Sequence, residues 1–318
     1  MRLTPPPFTL RQLQYVVAIA DARSFRRAAE ACHVSQPSLS SQVAAVEEAI
    51  GLRIFDRGRS GVLLTSAGEA FVLRARELLV AADDLSDAAL RLADPFSGTL
   101  RLGVIPTISP YLLPDVAPAL RRGLPRLRIT WTEDKTPVLV AALHAGDLDG
   151  ILVALEADLG DVESAVISRD AFVLATSREH PLAKSSAPLR LASVDTAGLL
   201  LLAEGHCLRD QALRACGTSG RGSSVASGHP SGLAATSLPT LVRMVAAGEG
   251  VTLLPELSLA VENRRRDLRL RRFRSPEPGR TIVLAWRRGA ASAACNTRVA
   301  ELIKSAYPGG RGGNDSKS

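Results

Sequence analysis

The stretch SFRRAAEACHVSQPSLSSQVAAVEEAIG, residues 24–51, contains two short helical patterns separated by a tight turn. The first pattern has apolar residues three and four positions apart, as on the buried face of a helix: Phe25, Ala28, Ala29 and Cys32. The second helix is predicted to begin at the N-cap Ser35, with Pro37 in its first turn, and to end at Gly51. Its apolar stripe consists of Leu39, Val43, Val46 and Ile50.

The polar face of the second helix indicates what the pair of helices can bind. Near its N-terminus it carries small, uncharged hydrogen-bonding groups: Gln36, Ser38, Ser41 and Gln42. Such side chains suit base edges and phosphates when a recognition helix enters the major groove of DNA. The alternative is an alanine-rich helical hairpin without a DNA partner, since helix pairs are common. The segments that follow favour the helix-turn-helix.

The segment RIFDRGRSGVLLT, residues 53–65, predicts a wing. Two short strands, at residues 54–56 and 62–64, flank a glycine-bounded turn that is expected to expose Arg57 and Arg59. Arginines in such a turn suit contacts with DNA phosphates, which fix the register of a protein on the duplex.

A long helix is predicted to follow the wing at residues 66–94, beginning with a capping box from Ser66 to Glu69. Its apolar residues then alternate four and three positions apart: Phe71, Ala75, Leu78, Ala82, Leu85, Ala89 and Leu92. A seam of about three heptads predicts that the helix pairs with its twin in a dimer, the alternative being a helix that packs on its own domain. Residues 95–98 are predicted to be a hinge.

Predicted strands and helices alternate with short connections from residue 99 to residue 308. The first are LRLGVI, PYLLPDVAPALRRG, LRITWT, PVLVAALHAGD and GILVAL; later strand candidates are AFVLAT, GLLLL, GVTLLP, LRLRRF and TIVLAW. This alternation predicts parallel βα units and hence an α/β domain. The tail GGRGGNDSKS, residues 309–318, is predicted to be disordered.

Composition indicates a globular chain with a polyanionic partner, since 46% of its 318 residues are hydrophobic and its net charge is +7. The arginine-rich stretch at residues 264–274 is, however, more typical of a solvated face. With neither a signal-peptide pattern nor an apolar run of roughly 18 residues, we expect a cytoplasmic protein with no membrane partner. Four cysteines are too few for a secreted disulfide scaffold, so any functional disulfide is expected to be transient.

Two of the four cysteines, Cys207 and Cys216, lie in the helix-friendly run EGHCLRDQALRACG, residues 204–217. In a continuous helix their Cα atoms would lie ~13.5 Å apart. A disulfide requires a Cα separation of roughly 7 Å or less. Either the two cysteines are unrelated, or this helix must come apart for them to bond.

Cys207 is the cysteine expected to react first. It follows an apolar run at the predicted start of a helix, where unpaired N–H groups favour a thiolate, and Arg209 and Arg280 are candidate cations near it. Thiolate character and access set the susceptibility of a thiol to oxidation. Cys32 and Cys295 are expected to be small buried hydrophobic residues.

Several of these motifs resemble a known family. LRQLQYVVAIADARSFRRAAEACHVSQPSLSSQVAAVEEAIGLRIFDR, followed by VLLTSAG, is similar to the winged helix-turn-helix of LysR-type transcriptional regulators. More narrowly, GVIPTISPYLLP, EGHCLRDQALRAC, ATSLPTLVRMVAAGEGVTLLP and PEPGRTIVLAW resemble the hydrogen-peroxide sensors of that family. The resemblance runs from about Leu10 to Tyr307.

The resemblance implies an N-terminal winged helix-turn-helix of the all-α class with a long linker helix, and a C-terminal α/β regulatory domain of two subdomains that is hinged like a periplasmic binding protein. The expected domains are 1–65 for DNA binding, 66–94 for dimerisation and 99–308 for redox sensing. Within the last, subdomain I is expected at 99–174 and 278–308, and subdomain II at 175–277.

The resemblance also implies roles for individual residues. Cys207 occupies the peroxidatic position and Cys216 the resolving position of a reversible disulfide. The pocket that surrounds the reactive thiol would consist of Thr107, Thr136, His206, Arg209, Asp210 and Arg280. The loop GTSGRGSSVASGHPSG, residues 217–232, departs from the family by its length and glycine content, and we expect it to be mobile.

The expected function is control of oxidative-stress genes, by activation or repression, with no enzymatic activity and no cofactor. The implied partners are hydrogen peroxide, double-stranded DNA with inverted repeats, further copies of the chain in a dimer and tetramer, and RNA polymerase. One alternative is a regulator gated by a small-molecule effector in the cleft, with incidental cysteines. A thiol peroxidase using Cys207, Thr107 and Arg280 is another. A metal site at His206, Cys207, Cys216 and His229 is the weakest, because its spacing matches no common ligand pattern.

Overall fold

The computed structural model describes residues 5–58, 61–91, 94–194, 198–215 and 235–307. The chain divides into two units, residues 1–90 and 91–318. Cys216, the glycine-rich loop 217–232 and the tail 309–318 lie outside the described residues. Across the described ranges, no helix is both long and apolar enough to cross a membrane.

The first unit contains three short helices, a hairpin and a long final helix. These elements are α1 (Leu10–Ala22), α2 (Phe25–Ala31), α3 (Gln36–Ile50), β1 (Phe55–Gly58), β2 (Gly61–Leu64) and α4 (Ser66–Arg91). The hairpin strands are antiparallel, as predicted for a wing. The predicted ends of α3 are confirmed: the Ser35 side chain accepts a hydrogen bond from the Ser38 amide, and Gly51 adopts a φ of +69°.

The core of the first unit forms from the apolar faces that the periodicity predicts. Ala28 and Ala29 of α2 and Leu39, Val43 and Val46 of α3 are buried together with residues of α1. Glu47 joins α3 to the hairpin, because its carboxylate accepts hydrogen bonds from the Ile54 and Phe55 amides at 2.7 and 3.1 Å.

The predicted capping box at the start of α4 is wrong by one residue. Thr65, not Ser66, caps the helix, because the Thr65 hydroxyl accepts a hydrogen bond from the Gly68 amide at 2.8 Å. Gly68 must approach the chain closely here: a Cβ at this position would lie 2.1 Å from the Ile54 carbonyl oxygen. The tight contact leaves room only for glycine in the first turn of α4.

The apolar seam of α4 divides into two parts. Near its start, Ala75 is buried and Phe71 packs edge-on against Phe8 of the same unit. Further along, Leu78 and Leu85 are 49% and 73% exposed. The first part therefore belongs to the core of its own unit, and only the later part offers an apolar surface for a twin helix. Leu92 lies outside the described residues.

The second unit is built from seven strands and six helices in the part of the chain that the structure describes. The elements are β3 (Gly98–Val104), α5 (Ser109–Gly123), β4 (Leu127–Glu133), α6 (Thr136–His144), β5 (Gly150–Ala154), β6 (Val162–Thr176), α7 (Cys207–Ala215), α8 (Leu238–Ala246), β7 (Thr252–Pro255), α9 (Leu259–Glu262), β8 (Arg269–Arg271), β9 (Gly279–Arg287) and α10 (Ala293–Ala306).

The sheet of the second unit is mixed. Its strand order is β4-β3-β5-β9-β6-β7, and β8 also pairs with β6. Strand β3 is parallel to β4 and β5, as the βα alternation predicts. Strand β9 instead returns antiparallel between β5 and β6, and β6 is antiparallel to β7 and β8. The sheet is therefore only partly made of parallel βα units.

Two apolar cores lie along this sheet. The first core gathers residues of β3, β5, β9, α5, α6 and α10, and the second core gathers residues of the last part of β6 with β7, α7 and α8. The chain passes from the first core to the second within β6, whose residues 162–171 pair with β9 and whose residues 172–176 pair with β7 and β8. It returns at the start of β9.

The predicted strand GLLLL, residues 198–202, is wrong. Its leucines are buried, but Leu199 and Leu202 form only isolated bridges, to Val251 and Ala235. The Leu200 carbonyl between them accepts a hydrogen bond from the Thr252 hydroxyl at 2.9 Å. A run of consecutive apolar residues thus reflects burial within the second core rather than a regular strand.

Candidate functional site

Helix α7 begins at Cys207, as the sequence predicts. The helix packs into the second core through Leu208 and Ala212, whereas the Cys207 side chain packs against the first core. A turn at Glu204 and Gly205 precedes the helix, and Gly205 adopts a φ of +86°. The chain therefore presents a free, partly exposed thiol at the boundary between the two cores.

A pocket of about 480 Å³ lies beside the thiol. Its lining includes Thr136, Glu156, Gly205, Cys207, Asp210 and Arg214. The Thr136 side chain is 6% exposed, and its hydroxyl oxygen has no hydrogen-bond partner. A buried hydroxyl without a partner is rare, because desolvation of the group costs about 1–3 kcal/mol. The pocket is therefore lined by a thiol and by a threonine whose buried hydroxyl has no partner.

His206 lies next to Cys207 in the chain and is 7% exposed. Burial and, secondly, the nearby Lys135 ammonium lower the pKa of His206, because both disfavour the protonated ring. Lys135 immediately precedes Thr136 and donates a hydrogen bond from Nζ to the Glu204 carbonyl at 2.9 Å. The loop before α6 is thus connected to the turn before α7.

Arg280 is fully buried and is held by two residues. Its Nε donates to Asp170 Oδ2 at 3.0 Å, its Nη1 donates to the Thr107 hydroxyl at 2.7 Å, and its Nη2 donates to the Thr107 carbonyl at 2.9 Å. The described hydrogen bonds of Arg280 are made to Thr107 and Asp170, so the approach of its cation to Cys207 stays a prediction. Cross-strand pairing of Asp170 with Arg280 fixes this arrangement.

The other predicted pocket residues of α7 lie in different surroundings. Asp210 lines the pocket with Cys207 and Thr136. Arg209 points elsewhere, because its Nη1 donates to the Leu202 carbonyl at 3.2 Å. Of the six predicted pocket residues, the structure thus places Thr136 and Asp210 beside Cys207 and places His206 next to it in the chain. Thr107 belongs to the Arg280 network.

The predicted disulfide and the alternative metal site both include residues beyond the described ranges. Cys216 follows the last residue of α7, and His229 lies in the glycine-rich loop. Among the described residues, no cluster of three or more His, Cys, Asp or Glu side chains is arranged to hold a metal ion. Cys32 is partly exposed, contrary to the expectation that it is buried, because it caps the end of α2, whereas Cys295 is buried as expected.

The predicted DNA-binding face of α3 is exposed. Gln36, Pro37, Ser38, Ser41 and Gln42 are all accessible on the first half of the helix. The Gln42 side-chain oxygen accepts a hydrogen bond from Gln12 Nε2 at 3.0 Å, which orients the amide. Ser35 is accessible too but uses its hydroxyl as the helix cap. Arg57 lies in β1, and Arg59 lies outside the described residues.

Sequence reasoning missed several residues of the second unit that make buried or bridging contacts. Lys135 had a local signal, because it directly precedes Thr136. Asp170 had none, since only the strand register brings it to Arg280. The same holds for Tyr111 of α5, which packs in the second core and donates its hydroxyl to Glu262 at 2.8 Å. Burial, first, and this contact raise the pKa of Tyr111, so the phenol stays protonated.

Two protein-family models match the chain. A model of bacterial regulatory helix-turn-helix proteins of the lysR family matches residues 10–69, and a model of the LysR substrate binding domain matches residues 93–307. The chain belongs to the LysR family. In this LysR-family protein, the matched regions contain the exposed face of α3 in one case and the Cys207 pocket in the other.

Individual relatives cover nearly the whole LysR-family chain. The DNA-binding transcriptional dual regulator OxyR of Escherichia coli is 38% identical over 303 residues, which are 94% of this chain and 96% of the relative. A hydrogen peroxide-inducible genes activator of Pectobacterium carotovorum is 39% identical over 297 residues, covering 93% of this chain and 95% of the relative.

Solved structures show the same similarity. A full-length cysteine-to-aspartate variant of OxyR from Pseudomonas aeruginosa superposes with a TM-score of 0.68 at 34% identity, covering 93% of this chain and 95% of that one. A hydrogen-peroxide-bound cysteine-to-serine variant of OxyR from Corynebacterium glutamicum has a TM-score of 0.63 at 30% identity, covering 96% and 94%. The LysR-family fold thus extends over both units of the chain.

Proposed function

We propose that this LysR-family protein is a transcriptional regulator that senses hydrogen peroxide through Cys207 and Cys216 and controls oxidative-stress genes in the cytoplasm. The names of its relatives support a peroxide response. The observation that carries the proposal is the pocket that is lined both by Cys207 and by Thr136, whose buried hydroxyl has no partner. A small polar oxidant that enters this pocket reaches the Cys207 nucleophile.

The first chemical step oxidises Cys207. Its thiolate attacks one oxygen of hydrogen peroxide, the O–O bond breaks, and the second oxygen leaves as hydroxide, which takes up a proton to give water. The sulfur becomes a sulfenic acid, so two electrons pass from the thiolate to the peroxide. The buried Thr136 hydroxyl, which has no partner, would hydrogen-bond a peroxide oxygen once its side chain turns toward the pocket.

The second step forms a disulfide with Cys216. The Cys216 thiolate attacks the sulfenic sulfur, the S–O bond breaks, and hydroxide leaves as water after it gains a proton. Residues 207 and 216 would be ~13.5 Å apart in a continuous helix, so α7 must unwind before the sulfur atoms meet. A cytosolic dithiol reductant returns both residues to thiols and allows α7 to re-form.

The DNA-binding part of the proposal rests on the first unit. The exposed side chains at the start of α3 (Gln36, Pro37, Ser38, Ser41 and Gln42), together with Ser35 at its cap, would enter the major groove. Arg57 and Arg59 of the wing would contact phosphates. The exposed apolar face of α4 would pair two chains. We further propose a tetramer on an inverted repeat and a contact with RNA polymerase.

The test combines cysteine mapping with DNA binding. The reduced full-length protein receives a brief, substoichiometric pulse of hydrogen peroxide, and mass spectrometry then determines the state of each of the four cysteines. A Cys207–Cys216 disulfide is expected before any change at Cys32, which is also partly exposed. In parallel, binding to a promoter fragment is measured before and after the pulse.

Matched variants complete the test. Cys207→Ser and Cys216→Ser should both abolish the peroxide-dependent change in DNA binding, whereas Cys32→Ser should retain it. Oxidation of all cysteines at similar rates, or a peroxide response that survives in Cys207→Ser, would refute the proposal. Steady turnover of peroxide with a dithiol reductant at the rate of a peroxidase would instead favour an enzyme.

A second candidate function has one observation in its favour. The pocket volume of about 480 Å³ lies in the range of small-molecule sites and exceeds the volume of hydrogen peroxide. A regulator gated by an organic effector would use this pocket and be indifferent to the loss of either cysteine. The DNA-binding assay with the Cys207→Ser and Cys216→Ser variants therefore separates the two candidates.

A further inference from the structure

Lys135 connects the two sides of the pocket. It is the residue before α6, on the side of the first core, and its ammonium donates to the Glu204 carbonyl in the turn that precedes α7. The next residue along the chain on the α6 side is Thr136, and the third residue after Glu204 is Cys207. One hydrogen bond of 2.9 Å therefore links the segment that carries Thr136, whose hydroxyl has no partner, to the segment that carries the Cys207 thiol.

The stem of Lys135 also packs against the turn. A Cβ placed on Gly205 would lie 3.0 Å from Lys135 Cδ and 3.5 Å from Lys135 Nζ. The φ of +86° at Gly205 is itself a conformation that favours glycine. The close approach of a lysine stem and a glycine backbone leaves little freedom to the turn, so the position of the first residue of α7 depends on this contact.

Lys135 has an electrostatic effect on the same turn. Burial lowers the pKa of His206 first, and the Lys135 ammonium lowers it further. The His206 ring is buried although the turn before it is exposed, and a protonated ring would both lose hydration and repel Lys135. Loss of the Lys135 charge should therefore let His206 gain a proton at a higher pH than in the wild-type protein.

We infer that Lys135 is a positioning residue for the redox reaction: it holds the Glu204–His206 turn so that Cys207 lies at the pocket that Thr136 also lines. This inference rests on the proposed function, because its consequence is the rate of the first oxidation step. Lys135 acts through the turn and through His206. Its ammonium does not need to contact the thiol.

The experiment compares three variants of the full-length protein in a Cys216→Ser background, in which oxidation stops at the sulfenic acid. Lys135→Met keeps the stem but removes the charge and the hydrogen bond, and Lys135→Arg retains both. Arg178→Met is the matched control, because the exposed Arg178 side chain also donates to a backbone carbonyl, that of Arg266, at 2.6 and 3.1 Å, but it does not line the Cys207 pocket.

The readout is the rate constant of Cys207 oxidation by hydrogen peroxide, followed by trapping of the sulfenic acid between pH 5 and pH 8. Lys135→Met should react about tenfold more slowly at neutral pH, since small displacements of a reacting group cost one to two orders of magnitude in rate. It should also gain an inflection at acid pH as His206 becomes protonated. Lys135→Arg and Arg178→Met should keep the wild-type profile.

The outcomes separate this inference from the proposed function. If Cys207 of the otherwise wild-type protein is oxidised no faster than Cys32, the proposed function fails and the inference with it. If Cys207 is oxidised selectively but Lys135→Met keeps both the wild-type rate and the wild-type pH profile, only the inference is overturned. Unchanged DNA binding by reduced Lys135→Met serves as the check that the variant is folded.

Discussion

The Arg280 network and the Cys207 pocket both lie where the two cores of the second unit meet, but they are satisfied to different degrees. Arg280 and Asp170 have fully buried side chains, and the guanidinium is bound by Asp170 and by both oxygens of Thr107. Around the pocket, the buried Thr136 hydroxyl and both polar atoms of the buried Gln211 side chain have no hydrogen-bond partner.

The Arg280 network keeps one geometry, whereas α7 has to change its conformation if the proposed disulfide is to form. A buried polar network whose members are all satisfied rigidifies its surroundings. Buried groups without partners raise the free energy of the folded segment that carries them. Gln211 lies in α7, the helix that must unwind if Cys207 and Cys216 are to bond, so the reduced conformation of α7 carries a cost that unwinding removes.

The largest expected effect is on the Arg280 network. Asp170→Asn should leave the Arg280 guanidinium buried without its counter-charge and lower the free energy of unfolding by about 3–5 kcal/mol, as in other broken buried ion pairs. Urea unfolding of the full chain measures this. The matched control is Arg298→Ala, which breaks the exposed ion pair with Glu301 and should cost at most about 1 kcal/mol. Equal losses in the two variants would contradict the comparison.

A smaller effect is expected at the turn before α7. Gly205→Ala should lower the free energy of unfolding by about 1–2 kcal/mol, because alanine disfavours a positive φ, and should also slow Cys207 oxidation. Gly248→Ala is the control: its φ is +89°, but a Cβ there meets nothing within 4 Å. The control should lose similar stability and keep the wild-type oxidation rate. Equal oxidation rates in the two variants would show that the Lys135 contact is unimportant.

The smallest expected effect comes from Gln211. Gln211→Met removes the unpartnered amide at similar size and should raise the free energy of unfolding by about 1 kcal/mol. Because the gain belongs to the helical form of α7, disulfide formation should become slower after the sulfenic acid has formed. Thermal unfolding and the kinetics of Cys207–Cys216 bonding measure the two effects. A destabilised variant that forms its disulfide faster would contradict the role assigned to Gln211.

Much of the site could be predicted because its signals are local. The start of α7 at Cys207, the cap of α3 at Ser35 and the stop at Gly51 follow from a few neighbouring residues. The misplaced cap of α4 shows how narrow such signals are, since Thr65 and Ser66 are both good caps and only the Gly68 contact with Ile54 separates them. The strand predicted at residues 198–202 failed because consecutive burial does not specify pairing.

By itself, the sequence determined the helix-turn-helix, the long α4, the α/β character of the second unit and the identity of the thiol at a helix start, because caps, turns and periodicity act over a few residues. Only the tertiary structure decided that Asp170 and Thr107 bind Arg280, and that Lys135 binds the turn at Glu204. These partners are 110, 173 and 69 residues apart in the chain. Strand register and the packing of two cores bring them together, and neither can be predicted from a few neighbouring residues in the sequence.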